Sequence, residues 1–190
     1  MNKVQQPRRH FLQIALASTL TALFNFPKSS YGKTILEKEK GIVIHEEDGL
    51  HILTGRRKIP MNIQMSKTNN GIDSMSFCSE DIIPGRKLRV HKHLYNDEFI
   101  FIQNGDGIAT VGEKNIDIKK GTVMFIPRDV WHGIQNTGKE TMRMVFGYTP
   151  AGFEQYFLEN GTPVGMPTKE RSAEEFASAE KKYGMVYKPN

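Results

Sequence analysis

The sequence predicts an all-β fold that closes into a sandwich or barrel and carries short helices near its C-terminal end. Three observations support this prediction. Many short segments alternate apolar and polar residues with a period of two, which is typical of half-buried strands. Turn signals such as Asn104-Gly105 separate these segments, and after Pro150 the alternation gives way to helical spacing. The 190 residues, 38% of them hydrophobic, suffice for one domain with a sizeable core.

Nine strands are predicted along the chain. The first, Lys58–Met65, alternates through Met61 and Ile63, and the second, Ser74–Glu80, alternates through Met75. The other seven are Lys87–His93, Glu98–Gln103, Gly107–Val111, Asn115–Ile118, Thr122–Ile126, Trp131–Asn136 and Thr141–Tyr148. Closure of so many short strands into a barrel would also cover their edges.

Two helices are predicted after the strands. Gly152–Glu159 has the length of one short helix, and a loop over Gly161–Lys169 follows it. Ser172 and Glu175 then form a capping-box sequence, and Gly184 supplies the stop signal. The apolar stripe of this second helix consists of Phe176, Ala179 and Tyr183.

The first 32 residues have the features of an export signal. Arg8 and Arg9 stand in tandem near the start, and residues 14–26 carry no charge. A basic start and a short apolar run are typical of a cleaved signal, because a membrane-spanning helix needs about 20 apolar residues. The paired arginines resemble the twin-arginine type, which predicts periplasmic export by the twin-arginine machinery and cleavage before Lys33. An uncleaved amphipathic anchor is the alternative.

The chain is therefore predicted to have four parts: a signal peptide (1–32), an N-terminal arm with strands (33–56), a barrel (57–150) and a C-terminal helical extension (151–190). The formal net charge of +5 comes mostly from the leader, and the remainder holds 22 basic and 21 acidic residues. A nucleic-acid partner is thus not expected. The single cysteine, Cys78, cannot form an internal disulfide and is predicted to be a small buried strand residue.

Three histidines and one glutamate carry the predicted chemistry. His91 and His93 lie two apart on a predicted strand, so both rings leave the same face. Glu98 begins the next strand, and His132 lies near the start of a later one. Three imidazoles and a carboxylate meeting inside a barrel would suit Mn, Fe, Ni, Cu or Zn, with positions left for substrate. The alternative is that these are unrelated polar residues, but two histidines on one apolar face would be costly to bury unpaired.

The same residues fall into two motifs of a known family. The first contains Gly85, His91, His93, Glu98 and Gly105, and the second contains Gly121, Pro127, His132 and Asn136. With this spacing the sequence resembles the cupin superfamily over residues 85–136. A weaker likeness to single-domain type-2 cupins of the quercetin-dioxygenase-like kind extends to both sides.

The resemblance implies a cupin double-stranded β-helix, or jelly-roll barrel. It also implies one divalent transition metal held by His91, His93, Glu98 and His132, with Glu98 in a catalytic role. Asp129 stands where the family usually has glycine. We expect the turn to survive, because aspartate tolerates positive φ better than most residues.

Other polar and apolar positions are given structural roles. His45, Glu46–Asp48 and His51 are interpreted as a solvated turn rather than a cation site. Trp131 is interpreted either as pocket lining or as core. The inner wall of the pocket is predicted to consist of Ile100, Ile102 and Ile134, with packing roles for Phe99 and Phe101 on the opposite face. The sequence contains no Gly-rich phosphate loop and no nucleophile elbow.

The expected function is a metal-dependent, dioxygenase-like oxidoreductase acting on a small molecule. The metal would bind an enol or phenol oxygen, and Glu98 would be a ligand or, when released, a general base. An apolar wall favours a flat, uncharged substrate. Two alternatives stay open: a barrel that binds or senses a small molecule without turnover, and a sugar isomerase or epimerase. A homodimer is also left open.

Overall fold

Strands dominate the part of the chain that the computed structural model describes, which comprises residues 41–55, 58–168 and 170–189. The strands are β1 (Leu50–Thr54), β2 (Ile59–Met65), β3 (Phe77–Ile82), β4 (Lys87–His93), β5 (Asp97–Asn104), β6 (Asp106–Val111), β7 (Lys114–Lys119), β8 (Val123–Ile126), β9 (His132–Asn136), β10 (Met142–Thr149), β11 (Thr162–Pro163) and β12 (Met185–Tyr187). The α-helices are α1 (Lys67–Asn70), α2 (Glu154–Asn160) and α3 (Ala173–Tyr183), and a 3-10 turn covers Glu46–Asp48.

The predicted signal peptide (1–32) lies outside the described residues, as does the first part of the predicted N-terminal arm. Among the residues that are described, no helix is long and apolar enough to cross a bilayer.

Two antiparallel sheets form the molecule. The larger has seven strands in the order β11-β1-β2-β3-β10-β5-β8, and the smaller has five in the order β12-β4-β9-β6-β7. From β3 to β10 consecutive strands alternate between the two sheets, except for the β6–β7 hairpin, and a jelly roll winds its chain in this way. The predicted all-β fold with short C-terminal helices is confirmed.

Inward-facing side chains of the two sheets meet in one core. Strand β10 shows the period-two pattern clearly, because Met142, Met144 and Phe146 are all buried while the residues between them are not fully buried. Cys78 is fully buried on β3, as predicted, and burial raises the pKa of its thiol well above the ordinary value.

Two predicted boundaries are wrong. The strand predicted at Ser74–Glu80 starts at Phe77 and continues to Ile82. Ser76 instead pairs with Tyr148: its N–H donates to the Tyr148 carbonyl, and its hydroxyl accepts from the Tyr148 N–H. The loop predicted over Gly161–Lys169 contains the short strand β11, whose two residues extend the larger sheet beside β1.

The helices follow their sequence signals. Ser172 and Glu175 make the predicted capping box, and Gly184 ends α3 with φ 69°, in the left-handed region that favours glycine. Helix α2 runs from Glu154 to Asn160, two residues later at its start than predicted. The single turn α1 was not predicted, although Ser66 caps it by accepting a hydrogen bond from the Asn69 N–H.

Candidate metal centre

The four predicted ligand residues lie together inside the barrel. His91 and His93 come from β4, Glu98 comes from β5 and His132 comes from β9. One potential ligand atom from each residue lies within 4.8 Å of those of the other three. His93, Glu98 and His132 are buried, whereas His91 keeps partial contact with solvent. Three strands from both sheets therefore bring one carboxylate and three imidazoles to a single point.

A β-bulge in β4 aims its two histidines inward. Leu88 pairs with Ile134, and His91 pairs with His132, so the two residues between Leu88 and His91 oppose only Gly133. In a regular strand Leu88 and His91, three residues apart, would point to opposite faces of the sheet, and the bulge brings them to the same face. Gly133 gives the bulge its room: a Cβ there would lie 3.0 Å from the Leu88 carbonyl oxygen and 3.2 Å from the Val90 Cα.

Backbone carbonyls hold two of the imidazoles in a fixed orientation. The His91 Nδ1 lies 2.8 Å from the Arg89 carbonyl oxygen, and the His132 Nδ1 lies 3.0 Å from that of Val130. In both contacts the ring nitrogen donates, so the neutral ring presents the lone pair of Nε2. Hydrogen bonds of this kind orient histidines that bind metals.

Several buried polar atoms at this point lack hydrogen-bond partners among the described residues. They are His93 Nδ1, His93 Nε2, Glu98 Oε2 and His132 Nε2. The Glu98 Oε2 lies 2.8 Å from His132 Nε2 and 3.3 Å from His93 Nε2, but neither contact is aligned as a hydrogen bond. Buried nitrogen and oxygen atoms left in this state are costly unless a cation binds them. The donor set therefore fits a divalent transition metal.

The cluster shifts the acidity of its own members. Burial opposes ionisation of Glu98, but the adjacent imidazoles of His132 and His93 outweigh it and hold the pKa of the carboxyl well below its ordinary value. Burial, together with His132 and His93, lowers the pKa of His91 to about 3. A neutral imidazole at His91 and a carboxylate at Glu98 are the protonation states that a metal requires.

Aromatic rings enclose the buried side of the cluster. The His93 ring lies against Phe153, with centroids 4.1 Å apart, and against Tyr148, with centroids 5.1 Å apart. Phe153 comes immediately before α2, so the C-terminal extension supplies part of the wall. The predicted wall residues Ile100, Ile102 and Ile134 are indeed buried in the core. Neither aromatic residue was predicted to line the site: Phe153 has no local sequence pattern, whereas the alternation along β10 could have revealed Tyr148.

The last strand covers the edge of β4. In the β12–β4 pair, Met185 is opposite His93 and Tyr187 is opposite His91. The Tyr187 ring lies 6.0 Å from the His91 ring, and the Arg89 guanidinium stacks 4.3 Å above the same tyrosine. Strand β12 thus holds the ligand strand in place and adds an aromatic side chain beside its more exposed histidine.

Asp129 has the left-handed conformation that the motif position requires, with φ 66°. Its carboxylate accepts a hydrogen bond of 2.6 Å from the Lys92 ammonium, and its N–H donates to the His93 carbonyl. The Val130 carbonyl, and not Asp129, is hydrogen-bonded to the His132 ring. Both contacts of Asp129 connect it to strand β4.

Two other candidate groups have no part in the cluster. Glu46–Asp48 form a 3-10 turn, and His51 is hydrogen-bonded to the Glu46 carbonyl, as expected for a solvated turn. Trp131 is half-buried, and the Lys92 ammonium lies 4.7 Å above its ring. It is therefore neither a full core residue nor part of the four-residue cluster.

A comparison with protein families matches the region that contains the four-residue cluster. Residues 79–148, which include all four candidate ligands, match the family model described as "Cupin domain". Protein SchB of Streptomyces halstedii is 31% identical over 95 residues, covering 50% of this chain and 69% of that protein. Dimethylsulfoniopropionate lyase DddW of Ruegeria pomeroyi is 37% identical over 71 residues, covering 37% of this chain and 45% of the lyase.

Solved structures resemble the chain in fold. The crystal structure of a predicted oxalate decarboxylase from Thermotoga maritima superimposes with a TM-score of 0.50 and 23% identity, covering 57% of this chain and 99% of that chain. This likeness shows a shared barrel. The chain spans between 44% and 75% of the lengths of the curated relatives that it matches, so the similarity concerns the barrel more than the whole proteins.

Proposed function

Because the chain belongs to the cupin family, we propose that it is an exported metal-dependent oxidoreductase of the dioxygenase type. It would hold one divalent transition metal, from among Mn, Fe, Ni, Cu and Zn, on His91, His93, Glu98 and His132. The observation that carries the proposal is the convergence of these four side chains within 4.8 Å, with buried donor atoms that no described hydrogen bond satisfies.

The side chains of the cluster have separable roles. When bound, such a metal supplies Lewis-acid activation of a substrate oxygen and, for redox-active ions, electron transfer. His91 and His132 are held by backbone carbonyls, so each presents Nε2 without further rearrangement. Glu98 is kept ionised by its neighbours, which is the state in which a carboxylate binds a metal, and it would act as a base toward an enol or phenol hydroxyl only when released from the metal.

The surroundings of the cluster support a small, flat and largely apolar substrate. Phe153 and Tyr148 border His93, and Tyr187 lies beside His91, the ligand that stays partly open to solvent. Aromatic faces are complementary to planar molecules. A sugar isomerase would call for polar groups around the substrate, and the aromatic neighbours of the cluster argue against it.

Oxygen consumption tests this proposal. The purified protein, loaded in turn with each of the five metals, is incubated with flavonols and catechols while dissolved oxygen is recorded. We expect oxygen uptake that depends on metal and substrate and is absent in His132→Ala. Substrate binding without oxygen uptake for every metal would contradict the enzymatic proposal and favour a binding or sensing barrel, the second hypothesis from the sequence.

A further inference from the structure

Apart from Glu98, the barrel buries the carboxyl group of Glu80, which has no partner among the described residues. Glu80 lies on the inner face of β3, between Met61 of β2 and Met144 of β10, and its side chain is 6% exposed. No hydrogen bond or ion pair reaches this side chain from the residues that the structure describes. A buried carboxyl group in this position is unusual, because glutamate is seldom buried unless it is paired.

Glu80 lines a cavity of about 160 Å³ at a distance from the histidine cluster. On β10, Met144 pairs with Glu80 and Tyr148 pairs with Glu98, so four residues, roughly 13 Å of strand, separate the two levels. The cavity walls are mainly aliphatic, from Ile59, Pro60, Ile82 and Leu88. Exposed residues line it nearer to solvent, and these are Lys58, Asp81, Ile83, Arg86 and Lys87.

The electrostatic surroundings of Glu80 select the charge of a ligand. Burial, with Asp81 and Glu98 nearby, raises the pKa of Glu80 to about 8, so the carboxyl keeps its proton at neutral pH. A carboxylate that reached Glu80 would meet the same negative groups, although the cations Lys58, Arg86 and Lys87 line the cavity nearer to solvent. An alcohol can gain one neutral hydrogen bond, whereas an ammonium group gains a charge-assisted one with an ionised Glu80.

We propose that this cavity binds a small aliphatic primary amine, with its ammonium group on Glu80 and its alkyl chain against Ile82 and Leu88. The amine arrives protonated and Glu80 releases its proton to solvent, so no covalent bond to carbon forms or breaks. A cavity of roughly 150 Å³ holds a molecule the size of benzene, which sets the limit at a chain of a few carbons. Lys58, Arg86 and Lys87 repel a second cation nearer to solvent, so a monoamine is preferred to a diamine of equal length.

Calorimetric titration with n-butylamine at neutral pH tests the proposal. Parallel titrations use 1,4-diaminobutane, n-butanol and butyrate. We expect one butylamine per chain, weaker binding of the diamine and no binding of butyrate. Buffers with different ionisation enthalpies should report release of close to one proton. Glu80→Gln, which keeps the size of the side chain, should weaken butylamine binding by about tenfold or more, since a charged hydrogen bond is lost. The matched control Glu140→Gln, at an exposed glutamate that does not line the cavity, should retain it.

Because this site does not depend on the proposed metal, protein treated with a chelator should bind butylamine equally well. Loss of binding on metal removal would place the amine at the histidine cluster and overturn the assignment. Equal binding by wild type and Glu80→Gln, or no heat of binding for wild type at millimolar butylamine, would overturn it as well. If the protein binds the amine but takes up no oxygen, the result contradicts the proposed oxidoreductase function and not the amine site.

Discussion

Hydrogen bonds between Asp97 and Arg128 connect the segments that precede two of the candidate ligands, Glu98 and His132. The Asp97 carboxylate accepts hydrogen bonds from the Arg128 backbone N–H at 2.8 Å, from its Nε at 3.0 Å and from its Nη2 at 3.1 Å. Asp97 immediately precedes Glu98, and Arg128 lies in the turn before His132. These hydrogen bonds lower the pKa of Asp97. The pair therefore couples the position of the carboxylate ligand to that of the last histidine.

Removing this link is expected to affect the metal more than the fold. Both side chains are solvent-accessible, so Asp97→Asn should change stability little. Metal affinity should fall by up to roughly tenfold, less than the loss of about 10–100-fold for a hydrogen bond made directly to a metal ligand, because Asp97 is bonded to Arg128 and not to a ligand side chain. Competition with a fluorescent chelator measures the affinity, and Asp117→Asn, an exposed carboxylate on β7, is the control. Equal affinity in both variants would show that the link has no bearing on the site.

The ligand histidines should be required for the metal but not for the fold. The barrel buries a continuous core of its own, so His91→Ala, His93→Ala and His132→Ala should each lose the metal and keep their β-sheet circular dichroism. Elemental analysis gives the metal content per chain. About one metal ion per chain in all three variants would defeat the assignment.

Glu98→Gln separates the two roles of the carboxylate. If Glu98 is a ligand, metal content and turnover should fall together. If it is mainly a base, metal content should stay while turnover falls by about 10²–10⁴-fold. Elemental analysis and oxygen uptake on the same sample distinguish the two roles, and unchanged values of both would show that Glu98 has neither.

The buried Glu80 should make stability depend on pH. The folded protein holds the Glu80 proton up to about pH 8, whereas the unfolded chain releases it near pH 4.5. Between these values the native state binds more protons, so this group makes the free energy of unfolding fall as pH rises. A difference of one bound proton between the two states changes the free energy of unfolding by about 1.4 kcal/mol per pH unit. Urea titrations at several pH values should show a shallower fall for Glu80→Gln than for wild type, while Glu140→Gln, at an exposed glutamate, should keep the wild-type slope.

Asp129→Gly tests whether the aspartate does more than form a turn. Glycine removes the strain of a positive φ but also removes the Lys92 ion pair. We expect a net change in stability within about 1 kcal/mol and unchanged metal content. Thermal unfolding and elemental analysis measure these. Loss of metal from a folded Asp129→Gly would show that the Lys92–Asp129 contact holds β4 in its ligating position.

Export through the twin-arginine route predicts dependence on the paired arginines. Replacing both Arg8 and Arg9 by lysine should leave the precursor in the cytoplasm, because the signal is recognised by a receptor and not merely by its charge. Cell fractionation and immunoblotting follow the protein. Mature periplasmic protein at an undiminished level would contradict this route.

Much of the fold and the membership of the cluster could be predicted from sequence, because both depend on local regularities. Alternation along β10 identifies its core residues, and the spacing of His91, His93, Glu98 and His132 follows a family motif. The β4 bulge could not be predicted, since a simple period of two places Lys87 and not Leu88 on the histidine face. Phe153 was missed for another reason: its contact with His93 spans sixty positions in the chain and has no local signature.

The pairing of β12 with β4 has a consequence for incomplete chains. Ribosomes make β4 long before β12, so a nascent or C-terminally clipped chain exposes the backbone N–H and C=O groups of the strand that bears His91 and His93. Such an edge is a template for pairing with a strand of another molecule. Proteolysis ahead of Met185 would therefore convert the folded protein into one prone to strand exchange and precipitation.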